Sequence, residues 1–253
     1  MERLNRFLAR AGVASRRASD QLIQTGKVEV NGLVVTHPGT RVDPDVDVVR
    51  CAGKIATMVT THTYVLLNKP ADYLVSVTDP HHQKTVFGLL EGVTARVFPV
   101  GRLDLDTRGV LLLTDDGDLS YRLTHPRYEV EKVYRGLVRG RPSAEALGML
   151  SKGIVLEDGI TAPARVKLVR QQGANTVLEL TLHEGRKRQV KLMCAAVGHR
   201  VLELTRIVFG TLDVNDLELG QWRALTEKEV VALYALVGLG QVKSNIGKSV
   251  KGS

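Results

Sequence analysis

The sequence predicts an α+β chain in two parts. A small N-terminal domain of two helices and a short sheet precedes a larger domain with a mixed, mainly antiparallel sheet. Three observations carry that prediction. Apolar residues at helical spacing open the chain and give way to strict alternation at Lys27. From Tyr64 onward strand-like stretches dominate, with few helical ones between them. A Thr-rich joint, "IATMVTTHT", separates the two textures.

In order along the chain, Leu4, Phe7, Leu8 and Ala11 share one side of a first helix, with Arg3, Arg6 and Arg10 opposite and Gly12 as its end. Ser15 is placed as the N-cap of a second helix, "RRASDQLIQ", with Ala18 and Leu22 inward and Gly26 as its stop. "KVEVNGLVV" reads as a hairpin about Asn31–Gly32, because Asn-Gly suits a two-residue turn between alternating strands. "VDVVRCAG" adds a strand, which bounds the unit at 1–54 and leaves 55–62 as a linker. The larger domain runs over 63–237, with strands at "YVLLNKP", "RVFPVG", "VLLLT", "VEKVYRGLVRG", "APARVKLVR" and "NTVLELTL". Helical patterns interrupt them at "SAEALGMLSKG" and "RKRQVKLMCAAVG", and the basic, Gly/Ser-rich stretch 238–253 is expected to be disordered.

Composition narrows the partners. Aromatic residues are 4% of the chain, so Val, Leu, Ile and Ala must build the core. A formal charge of +8 points to polyanions. A membrane is excluded because no apolar run nears the roughly 20 residues of a bilayer span. The charged opening "MERLNRFLAR" has no signal-peptide core, so a cytoplasmic monomer is expected. Cys51 and Cys194 stand far apart without a CxxC spacing and read as reduced structural thiols. Adjacent His81–His82 and the other histidines lack metal-ligand spacing, so no metal is expected.

Arg3, Arg6, Arg10, Arg16, Arg17 and Lys27 fall in or beside the two helices, with only Glu2 and Asp20 as nearby acids. Such a face suits phosphate oxygens, although a plain solvated face has the same composition. The continuous stretch "RLNRFLARAGVASRRASDQLIQTGKVEVNGLVV" closely resembles the RNA-binding domain named after the fourth protein of the small ribosomal subunit. That resemblance implies RNA contact at Arg3, Arg6, Ser15, Arg16, Arg17, Lys27 and Asn31, through shape and phosphate more than base edges.

Three pieces of the larger domain carry chemistry-bearing residues. "GRLDLDTRG" forms a loop ahead of the buried strand "VLLLT". "YEVEKVYRG" puts Lys132 and Tyr134 on the same side of one strand. "LHEGRKRQVKLM" turns into a helix with Arg186, Lys187, Arg188 and Lys191 in its first turns. Read from residue types alone, these charges fit either a cleft where a carboxylate is matched by cations or a set of surface salt bridges.

The motifs "NKP", "GRLDxxTxGxLLLTxDG", "HPRYxxxKxY" and "EGRxRQVxxM", behind the N-terminal domain, strongly resemble pseudouridine synthases of the RsuA/RluB branch, which isomerise uridine in ribosomal RNA. The resemblance runs from Arg3 to about Leu236. It implies Asp104 as the catalytic aspartate, Tyr134 as the ring against the target base, and Lys191 as the cation paired with Asp104. It further implies RNA contacts at Arg102, Lys132, Arg186 and Arg188, core packing by Leu192 or Met193, and no cofactor. Asp106 is expected to support the loop with Thr107, and Asp115 and Asp116 to form a turn. Where this branch usually has glycine two residues after "NKP", the chain has Asp72. Large-subunit rRNA, free or in an assembly intermediate, is the expected partner, with small-subunit rRNA as the alternative. A non-catalytic assembly protein should have lost Asp104 or Tyr134, and a hydrolase using Asp104 with Asp106 leaves the basic unit without a purpose.

Overall fold

The computed structural model describes residues 1–59, 61–76 and 84–240. His81–His82 and stretch 241–253 of the expected tail lie outside the described residues. The described residues divide into two compact units, one holding Met1–His62 with Asp115–Gly117, the other Thr63–Thr114 with 118–240. Among the described residues no helix is long and apolar enough to cross a membrane.

The first unit runs β1 (Glu2–Arg3), α1 (Leu4–Arg10), α2 (Arg16–Gln24), β2 (Val28–Val30), β3 (Leu33–Val34), β4 (Arg41–Val42), β5 (Val49–Cys51) and β6 (Lys54–Ile55). Strands β3-β2-β5-β6 form a four-stranded sheet, and β1 pairs with β4. The Ser15 hydroxyl accepts the Ala18 N–H at 3.2 Å and caps α2, as its position before "RRASD" predicts. Asn31 and Gly32 both take positive φ, 53° and 82°, and close the hairpin between Val30 and Leu33. Two expectations shift. In α2 the buried positions are Ser19 and Ile23, one step round from Ala18 and Leu22, which are half-buried. The unit also runs past Lys54: Ile55 completes a strand, and Ala56 bonds back to Val49 and is buried with Leu4, Phe7, Leu8 and Ile23. A core this small needs every apolar side chain, so part of the apparent linker is absorbed.

The second unit runs β7 (Tyr64–Lys69), β8 (Phe98–Pro99), β9 (Thr107–Thr114), α3 (Gly117–Thr124), β10 (Lys132–Val138), α4 (Ala144–Lys152), β11 (Val155–Leu156), β12 (Gly159–Ile160), β13 (Arg165–Gln172), β14 (Asn175–Leu182), α5 (Gln189–Ala196), β15 (Val201–Phe209), β16 (Leu212–Asp213), β17 (Trp222–Ala224) and α6 (Glu227–Leu236). Its nine-stranded sheet has the order β13-β14-β10-β15-β9-β7-β17, with β16 on β15 and β8 on β9. All pairings are antiparallel except β15 with β9, which makes the sheet mixed. Strand β7 is buried along its whole length and β9 nearly so, as their unbroken apolar runs predict for central strands. On one sheet face Leu178, Leu180 and Leu204 pack with Val190, Met193 and Cys194 of α5.

The parallel pair is joined at an unusually close approach. Gly109, opposite Arg206, has φ +103°, and a Cβ there would lie 2.1 Å from the Arg206 carbonyl oxygen. Beside it, the buried Arg206 guanidinium donates twice to the Val110 carbonyl, at 2.9 and 2.7 Å, and lies 4.8 Å from the Phe209 ring centre. Gly109→Ala is expected to cost about 3 kcal/mol or more in urea unfolding. Gly173→Ala, also at positive φ but with nothing within 4 Å, is expected to cost about 1 kcal/mol. Equal losses in the two variants would rule out the close approach.

Candidate active site

The strand order explains why distant motifs meet. The start of β9 lies beside Leu204 of β15, and Arg206 of β15 lies opposite Tyr134 of β10. The loop ahead of β9 and the Tyr134 ring therefore converge across one intervening strand. Helix α5, packed on the same face, brings its first turn to that place. An open pocket results, with Arg102, Asp104 and Thr107 on one side, Tyr134 and Leu204 at its floor, and the turn from Glu184 to Val190 on the other.

Backbone bonds shape the loop that carries Asp104. The Thr107 N–H donates to Asp104 O at 3.1 Å. Lys69, at the end of β7, has no exposed surface, and its ammonium points under the loop. It donates to the carbonyls of Pro70 (2.9 Å), Asp104 (3.2 Å), Leu105 (3.1 Å) and Thr107 (2.9 Å). Burial pushes this ammonium down to about 8, against the pull of Asp106, Asp72 and Asp104. Asp72, at the site where glycine is usual, takes φ +64° and donates its N–H to Leu105 O at 2.8 Å. Aspartate tolerates that left-handed region better than most residues, so the turn forms without glycine. The Thr107 hydroxyl, on a side chain lining the pocket, is buried and has no hydrogen-bond partner among the described residues.

Lys191 reaches the two acidic side chains of the loop. Its ammonium is 3.3 Å from Asp104 Oδ2 and also contacts Asp106 Oδ1. Asp106, expected to support the loop with Thr107, instead has its carboxylate on the Lys191 cation, and the Thr107 hydroxyl takes no part. The hydrogen bond from Lys191 holds the Asp106 carboxyl below the usual carboxylate range. Asp115 and Asp116 are likewise more than turn formers. Asp115 lies 3.1 Å from the His62 ring, and Asp116 is buried just ahead of α3.

Other assigned residues divide into free and committed groups. Arg102 and Arg188 are exposed at the pocket rim, Arg188 as the N-cap of α5 with φ +55°. Arg186 is a correction. It precedes α5, and its guanidinium is spent on Glu184, Asp158 and the carbonyls of Gly159 and Ile160, which fastens the β11–β12 hairpin to the pocket wall. Gln189 completes that wall by accepting Arg186 N–H and donating to Glu184. Lys132 is a second correction. It shares the Tyr134 side of β10 but is 8% exposed, donates to Val130 O at 2.8 Å, and lies against Phe209. Burial and the neighbouring Arg206 charge push it down to about 8, against the pull of Glu184. Met193 is core, whereas Leu192 is exposed.

In the first unit, Arg3, Arg16, Arg17 and Lys27 are exposed. Arg6 is engaged by Glu2 at 3.4 Å, because β1 sets Glu2 at the foot of α1. Ser15 spends its oxygen on the helix cap. The Asn31 amide is consumed in the fold, donating to Asp47 and accepting the Val48 N–H, both at 2.9 Å. Sequence reasoning missed Lys69 and Arg206. The "NKP" motif marked the first, but nothing local marked the second. Among the described residues no cluster of potential ligands could hold a metal ion.

Comparison with known proteins agrees with this geometry. The RNA pseudouridylate synthase family pattern matches residues 63–196, and that of the S4 domain matches residues 2–48. The chain is 42% identical over 243 residues to the ribosomal large subunit pseudouridine synthase B of Bacillus subtilis (strain 168), covering 95% of this chain and 99% of that one. It is 36% identical over 237 residues to the ribosomal small subunit pseudouridine synthase A of Yersinia pestis, covering 92% and 98%. A crystal structure of a pseudouridylate synthase superposes with a TM-score of 0.67 at 30% identity, over 92% of this chain and all (100%) of that one. The chain belongs to the S4-domain-containing RNA pseudouridine synthases related to the RsuA/RluB-type enzymes, isomerases that convert uridine in RNA to pseudouridine.

Proposed function

We propose that the pocket takes one uridine turned out of ribosomal RNA, with Asp104 as the catalytic carboxylate, Tyr134 as the ring against the uracil, and Lys191 as the cation beside Asp104. One observation carries this reading: a carboxylate and an aromatic ring from distant stretches line one open pocket, and an ammonium from a third stretch lies 3.3 Å from that carboxylate. The conversion breaks the bond from ribose C1′ to N1, forms one from C1′ to C5, and exchanges the C5 proton for one on N1. Nothing is oxidised and no water is consumed, so the atom balance requires no cofactor.

Turning the base out of its stack costs a few kcal/mol. Stacking on Tyr134 offsets about 1–3 kcal/mol of that cost, and Arg102 and Arg188 at the rim are placed to hold the backbone. Asp104 acts as an anion on the bound nucleoside. Lys191 supplies the countercharge there once RNA displaces water, since an unpaired charge in a dry site is strongly disfavoured. In the first unit, Arg3, Arg16, Arg17 and Lys27 offer charge to structured RNA, which supports an RNA-binding unit joined to a catalytic one. Large-subunit rRNA is the favoured substrate, supported by the higher identity to the large-subunit enzyme of Bacillus subtilis than to the small-subunit enzyme of Yersinia pestis.

Asp104→Asn is expected to lower turnover on rRNA transcripts at least about a thousandfold while RNA binding survives, and Asp106→Asn to stay within about tenfold of wild type. Turnover by purified Asp104→Asn within about tenfold of wild type would refute the assignment. Mapping pseudouridines on both rRNAs of a deletion strain is expected to show loss of a large-subunit site; loss confined to the small subunit overturns that choice. For Lys69, turnover is expected to decline as pH rises through about 8, where the ammonium loses a proton and one of its donors. Lys69→Met should lower turnover about a hundredfold and abolish that decline, and an unchanged pH profile in the variant would exclude Lys69 as its source.

A further inference from the structure

At the end of α3 lies an exposed group of rings and cations that the reaction above does not use. Tyr121 lies in the last turn of α3, and His125, just past its end, donates its N–H to the Tyr121 carbonyl at 2.9 Å. A 3-10 turn at Pro126–Tyr128, held by the Arg127 N–H donating to His125 Nδ1 at 3.2 Å, folds Tyr128 back toward them. The ring centres are 5.1 Å apart for Tyr121 and His125, and 6.4 Å for each of the other two pairs. Interplanar angles of 53°, 81° and 82° mean that no pair is stacked face to face.

Tyr128 is the clasped member. Arg127 lies 4.6 Å and Arg122 5.5 Å from its ring centre, and Arg127 also donates to its hydroxyl. Arg122 is fixed in turn by the carbonyls of Val237 and Gly238 at 3.0 and 2.8 Å. Tyr121 is left 50% exposed, and His125 is exposed beside it. The run from Tyr121 to Tyr128 contains no carboxylate.

Chain neighbours of the group touch chain neighbours of the pocket lining at two places. Thr124 Cγ2 lies 3.6 Å from where a Cβ on Gly101 would sit, next to Arg102 at the rim. Just after Tyr128, the Glu129 carbonyl is 3.1 Å from His183 Nδ1, between Leu182 and Glu184 of the pocket lining.

We infer that Tyr121, His125 and Tyr128, with Arg122 and Arg127, form a stacking platform for an unpaired base of the substrate RNA neighbouring the target uridine. The inference rests on the reading that the pocket holds a uridine of RNA. Every base has a flat π face, so the exposed Tyr121 and His125 rings, with no parallel partner, accept any base, while Tyr128 between its two guanidiniums backs them and the exposed Arg127 favours phosphate. Capturing the neighbour keeps the strand open after the target base leaves its stack.

The test uses the full chain and two probes. The first is rRNA transcript labelled with tritium at uridine C5, read by tritium release. The second is a short fluorescein-labelled single-stranded oligouridylate, read by anisotropy at fixed salt. Tyr121→Ala should raise KM for the transcript and Kd for the oligonucleotide about tenfold, with kcat within about twofold, and Tyr121→Phe should restore both. Ultraviolet crosslinking of the oligonucleotide to the wild-type chain should mark the peptide that spans Tyr121 to Tyr128, a readout that needs no variant to fold. Unchanged KM and Kd in Tyr121→Ala, no restoration by Phe, or no crosslink in that peptide overturns the platform. If the wild-type chain releases no tritium, the reading of the pocket fails, while anisotropy and crosslinking still decide the platform.

Discussion

Burying an ammonium costs several kcal/mol unless acceptors surround it, and the Lys69 side chain has no exposed surface. Four carbonyl oxygens share its three N–H donors, three of them in the loop from Asp104 to Thr107. The cation and the loop therefore fix each other. Without the loop the charge has no partners, and without the charge three carbonyls crowd together with their dipoles unopposed. Asp72 adds its N–H to Leu105 from the same side. The loop is thus held from below by backbone bonds, and its side chains are free to face the pocket.

Above the loop the electrostatics are different. Lys191 meets Asp104 and Asp106 together, so two carboxylates share one ammonium at the surface while Lys69 adds a second positive charge beneath. A loop of two acids would repel an RNA phosphate. Lys191 and Lys69 offset the two acids of the loop, and the exposed Arg102 and Arg188 outweigh the remaining Asp72 charge. The site can then receive a polyanion and still present a carboxylate to its sugar or base.

Much of this was legible in the sequence, for identifiable reasons. The two N-terminal helices, the Ser15 cap and the Asn31–Gly32 turn depend on neighbours a few residues apart, and patterns at that range survive in the sequence. The pairing of Lys191 with Asp104 was legible only through the motif resemblance, because the partners are 87 positions apart. Local pattern failed where a charged residue turns inward. Lys132, one residue after Glu131, and Arg186, in a basic run, both match motif positions and read as RNA contacts, yet one is buried against Phe209 and the other ties down a hairpin. Arg206 gave no sign at all, since its acceptor lies on a strand 96 positions earlier.

That division also sharpens what recognises RNA. Net charge counts Lys69, Lys132, Arg186 and Arg206 equally with the rest, although each is committed to carbonyls or carboxylates within the fold. Such cations strengthen the scaffold but neutralise no phosphate. Of the basic residues assigned to RNA from the sequence, Arg102 and Arg188 at the pocket, and Arg3, Arg16, Arg17 and Lys27 on the first unit, are exposed and have no such commitment. Salt dependence of binding counts only phosphates that are actually neutralised. The basic composition therefore overstates the electrostatic share of binding, and shape and stacking must supply the remainder, as suits an enzyme that has to find one base within a folded RNA.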